Sequence, residues 1–173
     1  MIPSAEGTRR RHGLGPFSTR AWLAAALGLS EPACGAWARG RLIEVINGDL
    51  FDIVEVDFAT GRRARIYMTT GERDMGPHIA SAAYDAVWIP VPIGTAYRLV
   101  GVPGAAVPGA GWKMPVPPPD LYLADRAWIL PPDALTGALP PEGALTRAED
   151  LREALEAAAS NWASPLRGSV RAR

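Results

Sequence analysis

Apolar residues recur at helical spacing near both ends of the chain and at strand spacing between them. Near the N-terminus, Trp22, Leu23, Ala26 and Leu27 share one face of a predicted first helix. Ser18 or Thr19 is placed to cap it and Gly28 to stop it. Near the C-terminus, Leu151, Ala154, Leu155, Ala158 and Trp162 form a second stripe. Thr146 and Glu149 supply a Thr-x-x-Glu capping box ahead of it.

Between them the chain reads as strands. Arg41 to Ile46 and Leu50 to Val56 are β-rich runs flanking Asn47-Gly48, a pair that predicts a hairpin. Alternation puts Phe51, Ile53, Glu55 and Asp57 on one face of the second run, and Leu50, Asp52, Val54 and Val56 on the other. A short helix is expected over Arg62 to Met68, with Thr60 near its N-cap, and a turn from Gly71 to Pro77. Further strands are expected at Ala86 to Pro92 and Thr95 to Val100, bending at Ile93-Gly94. Val102 to Asp120 is too rich in Pro and Gly for long ladders, and Leu121 to Leu130 reads as extended up to Pro131-Pro132.

Strands followed by a closing helix, without regular β-α alternation, define an α+β class. The expected architecture is an antiparallel or mixed sheet with an Asn-Gly hairpin, flanking helices and a C-terminal helix. A length of 173 residues suits one domain. We place it at residues 18–163, between a flexible basic arm (1–17) and a basic tail (164–173).

Composition narrows the function classes. Apolar residues make up 48% of the chain, enough for a packed core, yet no apolar run approaches the roughly 20 residues of a membrane span. The N-terminus lacks the apolar stretch of a secretory signal, which points to the cytoplasm. A single cysteine, Cys34, excludes an internal disulfide and a cysteine-based zinc site within one chain. It reads as a small buried residue or a loop thiol, since no neighbour activates it. The 18 basic and 18 acidic residues cancel, so no global charge draws nucleic acid. The bias to arginine, with abundant Ala, Gly and Pro, suggests a high-GC genome.

The local charge pattern is less neutral. Arg9, Arg10 and Arg11 lie near one end, and Arg167, Arg171 and Arg173 near the other; both groups suit phosphate contacts and solubilising tails alike. Six tryptophans are present. Trp22, Trp88, Trp128 and Trp162 fall on apolar stripes or strands and read as core. Trp112 sits beside Lys113, the only lysine, in a Gly/Pro loop where it suits stacking on a base or a protein partner. With His12 in the arm and His78 the only other histidine, no Ser/His/Asp triad is legible.

Gly48-Asp49-Leu50-Phe51-Asp52-Ile53-Val54-Glu55-Val56 resembles a G-x-x-F-D-V-V-E/D-V strand, and Gly61-Arg62-Arg63-Ala64-Arg65 a G-R-R-A-L helix start, of the small actinobacterial relatives of the bifunctional DNA primase/polymerase N-terminal domain. Gly76-Pro77, Pro115-Val116-Pro117-Pro118-Pro119-Asp120 and Trp128-Ile129-Leu130-Pro131-Pro132 resemble the family's G-P, A-P-P-S and W-L-R-P-P segments. A closing helix comes last in both, and the order holds from about residue 41 to 160.

The resemblance implies an archaeo-eukaryotic primase fold. In active members, paired carboxylates on one strand, a histidine on a neighbouring strand and a third acid hold two divalent metals for nucleotidyl transfer. Glu55 and Asp57 match the pair and would ligate Mg²⁺ or Mn²⁺; His78, after Gly76-Pro77, matches the histidine. The third acid is missing, because Val100 to Val116 contains no Asp or Glu. Met75-Gly76-Pro77-His78 also only half fits the family's S-x-H or G-x-H pattern.

Three functions follow as expectations. The first is a non-catalytic, degenerate primase/polymerase-like binding or regulatory module touching DNA or another protein. The second is an active metal-dependent nucleotidyltransferase using Glu55, Asp57 and His78, with Asp85 or Asp125 as the third acid. The third is a structural or assembly protein acting through its Pro-rich loops. Glu55 and Asp57 equally suit a strand end running into solvent, Asp52 an exposed strand position or turn cap, and His78 a surface or hydrogen-bonded loop.

Overall fold

The computed structural model describes Leu23, Gly28 and residues 31–119, 121–130 and 145–160. The elements run α1 (Glu31–Ala38), β1 (Ile43–Ile46), β2 (Phe51–Asp57), α2 (Phe58–Thr70), β3 (His78–Ser81) and β4 (Ala86–Pro92). A 3₁₀ helix (Ala96–Leu99), β5 (Ala105–Ala106), β6 (Lys113–Val116), β7 (Ala127–Ile129) and α3 (Ala148–Ser160) follow. Five strands form one sheet in the order β5-β2-β4-β3-β7, and β1 pairs with β6 in a separate two-stranded sheet. Every pairing among the described residues is antiparallel. The α+β class stands.

Two apolar layers sandwich the large sheet. On one face, Phe51 and Ile53 of β2 and Trp88 of β4 pack with Leu23, Trp37 and the β1-β6 residues Ile43, Val45, Met114 and Val116. On the other, Val54, Val56, Val87 and Ile89 meet Ala64 and Met68 of α2 and Leu151, Ala154 and Leu155 of α3. With both faces covered, β4 is buried from Ala86 to Val91 and loses the apolar-polar alternation of a half-exposed strand. Pro90 and Pro92 survive within it because pairing with β3 stops at Trp88–Ile79, so their missing N–H groups interrupt no ladder on that side.

The expected Asn-Gly hairpin is not there. The two strands that flank Asn47-Gly48 belong to different sheets: β1 goes to β6, and β2 to β4 and β5. Asn47 is buried and acts as a hub instead. Its Oδ1 accepts from Ile53 N at 2.6 Å, and its Nδ2 donates to Pro108 O at 2.7 Å and Gly109 O at 3.1 Å. The side-chain amide thus stands beside β2 where a neighbouring strand would bond, and links it to the Pro-rich loop.

Three successive carbonyls of that Pro-rich stretch are also satisfied by side chains. Pro115 O accepts from Arg126 Nη1, Val116 O from Trp37 Nε1 and Pro117 O from Trp128 Nε1, at 2.9, 3.3 and 2.8 Å. Prolines cannot donate to a ladder, so buried indole and guanidinium groups anchor the run through its acceptors.

Other expectations shift by local chemistry. Thr95 to Val100 is not a strand: the Asp52 carboxylate accepts from Thr95 N and Ala96 N and opens the 3₁₀ helix. The helix expected over Arg62 to Met68 starts earlier, at Phe58, with Asp57 and not Thr60 as its cap. Thr146 is buried with its hydroxyl accepting from Gly76 N, so it ties α3 to the segment before β3. Leu23 is helical and buried, and Gly28 turns with φ 64°; Trp22, Trp162 and both basic ends lie outside the described residues.

Gly61 sets how closely α2 lies on the sheet. A Cβ built there would sit 2.7 Å from Val87 Cγ2 and 3.1 Å from Val56 Cγ2. Alanine normally favours a helix over glycine by about 1 kcal/mol. Here Gly61→Ala is expected to destabilise by about 1–2 kcal/mol net, because overpacking outweighs propensity. Adding Val87→Ala should recover part of that loss, a coupling of about 1 kcal/mol in a urea-unfolding double-mutant cycle. Strictly additive effects would contradict the close approach.

Candidate functional site

The site begins where β2 runs without a loop into α2. Asp57 ends the strand with φ −63° and ψ 155°, and its Oδ1 accepts from Thr60 N at 2.8 Å, which makes it the N-cap. Burial pushes its carboxyl up, but bonds from the Thr60 side chain and the Thr60 and Ala59 N–H groups outweigh that, aided by Arg63. The group is held below its ordinary value as a result. Beside it, Thr60, Arg63, Pro103, Gly104 and Ala158 help line a cleft of about 390 Å³.

Glu55 lies two residues back and faces Trp88 across the ladder. Its Oε2 accepts from Trp88 Nε1 at 2.9 Å. Trp88 is in turn stacked by Arg126, whose guanidinium carbon lies 5.0 Å from the Trp88 ring and 5.2 Å from that of Tyr84. Both members of the acid pair therefore hold structural hydrogen bonds, one to a helix end and one to a core indole.

His78 does not join them. Glu55, Trp88, Ile79 and Trp128 are successive cross-strand partners and so share one face. His78 is one residue off that row and belongs to the opposite face, with the β4 strand standing between β2 and β3. It is no surface histidine: it is buried at 3% exposure, with Nδ1 2.9 Å from Gly76 O. That distance assigns the proton to Nδ1, donating to the carbonyl. Burial pushes its pKa down to about 4; the Gly76 bond opposes this and the Arg65 charge adds to it.

Of the substitute acids, Asp85 comes to the helix start that Asp57 caps, and Asp125 does not. Asp85, at φ 49°, accepts from Phe58 N at 3.3 Å and so stands near the start of α2. Asp125 lies on the turn before β7, three strands from β2, and accepts from Tyr122 Oη. Among the described residues no group of three or more His, Cys, Asp and Glu side chains is arranged to hold a metal ion. The geometry places one capping carboxylate beside a cleft.

The expected stacking pair is also occupied. Trp112 is half-buried against the core layer that holds Trp37, and Lys113 Nζ pairs with Glu44 Oε2 at 2.8 Å. Arg9, Arg10, Arg11, Arg167, Arg171, Arg173 and His12 lie outside the described residues. Sequence reading missed Asn47 as a hub and Arg126 as a buried cation; the only signal for either was a run of carbonyls without donors in the Pro-rich stretch. Among the described residues no helix is long and apolar enough to cross a membrane. Compared with known proteins, the chain matches no family model, no curated protein and no solved structure.

Proposed function

We propose that this chain is a non-catalytic, primase/polymerase-like binding or regulatory module, with DNA the partner that its arginines suit. The observation that carries the reading is the commitment of both acids: Glu55 to Trp88 and Asp57 to the cap of α2, with His78 on the other face of the sheet. A two-metal transferase needs free carboxylate oxygens converging on one point, and each of these carboxylates already has an oxygen tied into the fold.

The test is a thermal melt with and without Mn²⁺ and a nucleoside triphosphate, on the wild type beside Glu55→Gln/Asp57→Asn. The double variant is expected to melt a few degrees lower, because weakening a helix cap costs about 1 kcal/mol. Neither protein should respond to metal and nucleotide. A wild-type rise of several degrees that disappears in the variant would restore the nucleotidyltransferase.

A further inference from the structure

The two helices on one face of the sheet carry opposite charge. Over Ala148–Ser160, α3 has four carboxylates, and each faces an arginine: Glu149 meets Arg98, Asp150 meets Arg73 and Arg147, Glu153 meets Arg73, and Glu156 meets Arg152. Over Phe58–Thr70, α2 has three arginines and no carboxylate. Arg62 and Arg65 are exposed, and among the described residues neither guanidinium holds an ion pair or a hydrogen bond. With Ile66 and Thr69 they sit at i, i+3, i+4 and i+7, one outward face of α2.

No acid on α2 relieves these charges. The same arrangement concentrates positive potential on one surface of a chain whose formal charge is zero.

We infer that the outward face of α2, through Arg62 and Arg65, is a contact surface for the phosphate backbone of nucleic acid. The inference rests on the DNA-binding reading above and assigns it a place in the folded domain. Arginine's planar fork matches two phosphate oxygens. A membrane surface fits less well, because an interfacial helix needs a broad apolar face. Here Ile66 is exposed between the arginines, while the hydroxyl of Tyr67 is engaged by Glu153.

The experiment is fluorescence anisotropy with labelled duplex DNA between about 50 and 200 mM salt, metal-free. It compares the wild type with Arg62→Gln/Arg65→Gln and with a charge-matched control, Arg39→Gln/Arg41→Gln, on the far side of the sheet. A third variant changes Arg9, Arg10, Arg11, Arg167, Arg171 and Arg173 to Gln. Losing two phosphate contacts should flatten the salt slope by about 2 and weaken binding roughly tenfold, while the control keeps both. Wild-type binding with an unchanged slope in the α2 variant, and a loss only in the terminal variant, would overturn this surface and leave the DNA reading standing. No binding by the wild type would overturn both. Arg62/Arg65-dependent binding to phosphatidylserine–phosphatidylcholine vesicles, without DNA binding, would replace nucleic acid by membrane and overturn the assignment.

Discussion

Asn47→Gly is expected to lower the unfolding free energy by roughly 3–4 kcal/mol. Three side-chain bonds are lost, each worth about 1 kcal/mol net, and a buried Ile53 N–H is left without its acceptor. The substitution separates two accounts of the same dipeptide. Were Asn47 simply the first residue of a tight hairpin turn, glycine or aspartate would suit the backbone there, and either change would cost a few tenths of a kcal/mol. On the observed structure Asn47→Asp is damaging too, because it turns an oxygen toward the Pro108 and Gly109 carbonyls where an amide now donates. Urea unfolding of both variants decides the matter. A loss below about 1 kcal/mol in each would sink the hub.

That hub marks the limit of what could be read from the sequence. β4 was legible from Ala86 to Pro92 because a dense β-branched run between turn signals needs no partner to be recognised. The bend at Ile93-Gly94 and the apolar stripe of α3 were legible for the same local reason. The pairing of β1 was not, since its partner β6 lies in a Pro-rich stretch with weak strand propensity and an Asn-Gly signal nearer by. Local turn chemistry lost to burial of Ile43 and Val45 against Met114 and Val116.

The acid pair shows a second kind of limit. Alternation correctly predicts that Glu55 and Asp57 share a strand face, but not what meets them there. Trp88 was readable as core, yet its indole N–H needed an acceptor, and the cross-strand register gives it Glu55. Asp57 followed directly by Phe58 reads as a strand residue until the helix is seen to begin without a loop. His78 reads as a loop residue after Gly76-Pro77, and only the order β2-β4-β3 places it on the other side of the sheet.

Through His78, the protein is expected to lose about 3 kcal/mol of stability as the pH falls from 6.5 toward about 4. The folded-state pKa is depressed, so the native protein takes up its proton later than the unfolded chain. Above the ordinary value of 6.5 both states are neutral and the contribution is complete. It then falls by about 1.4 kcal/mol per pH unit until the buried imidazole is protonated too. Asp57 and Glu153, also held below their ordinary values of 3.8 and 4.5, lose their contributions only at lower pH. The interval from about pH 6 to 5 therefore isolates the histidine. Urea unfolding across it should show that slope in the wild type and a nearly flat line in His78→Leu. Parallel lines would mean that the imidazole is not held neutral. The titration also tests the separation of the two faces. In Glu55→Gln, the His78 resonance followed by NMR should titrate as in the wild type, since the carboxylate and the imidazole lie on opposite sides of the sheet. A His78 that responds to Glu55 would bring the acid and the histidine back into one site.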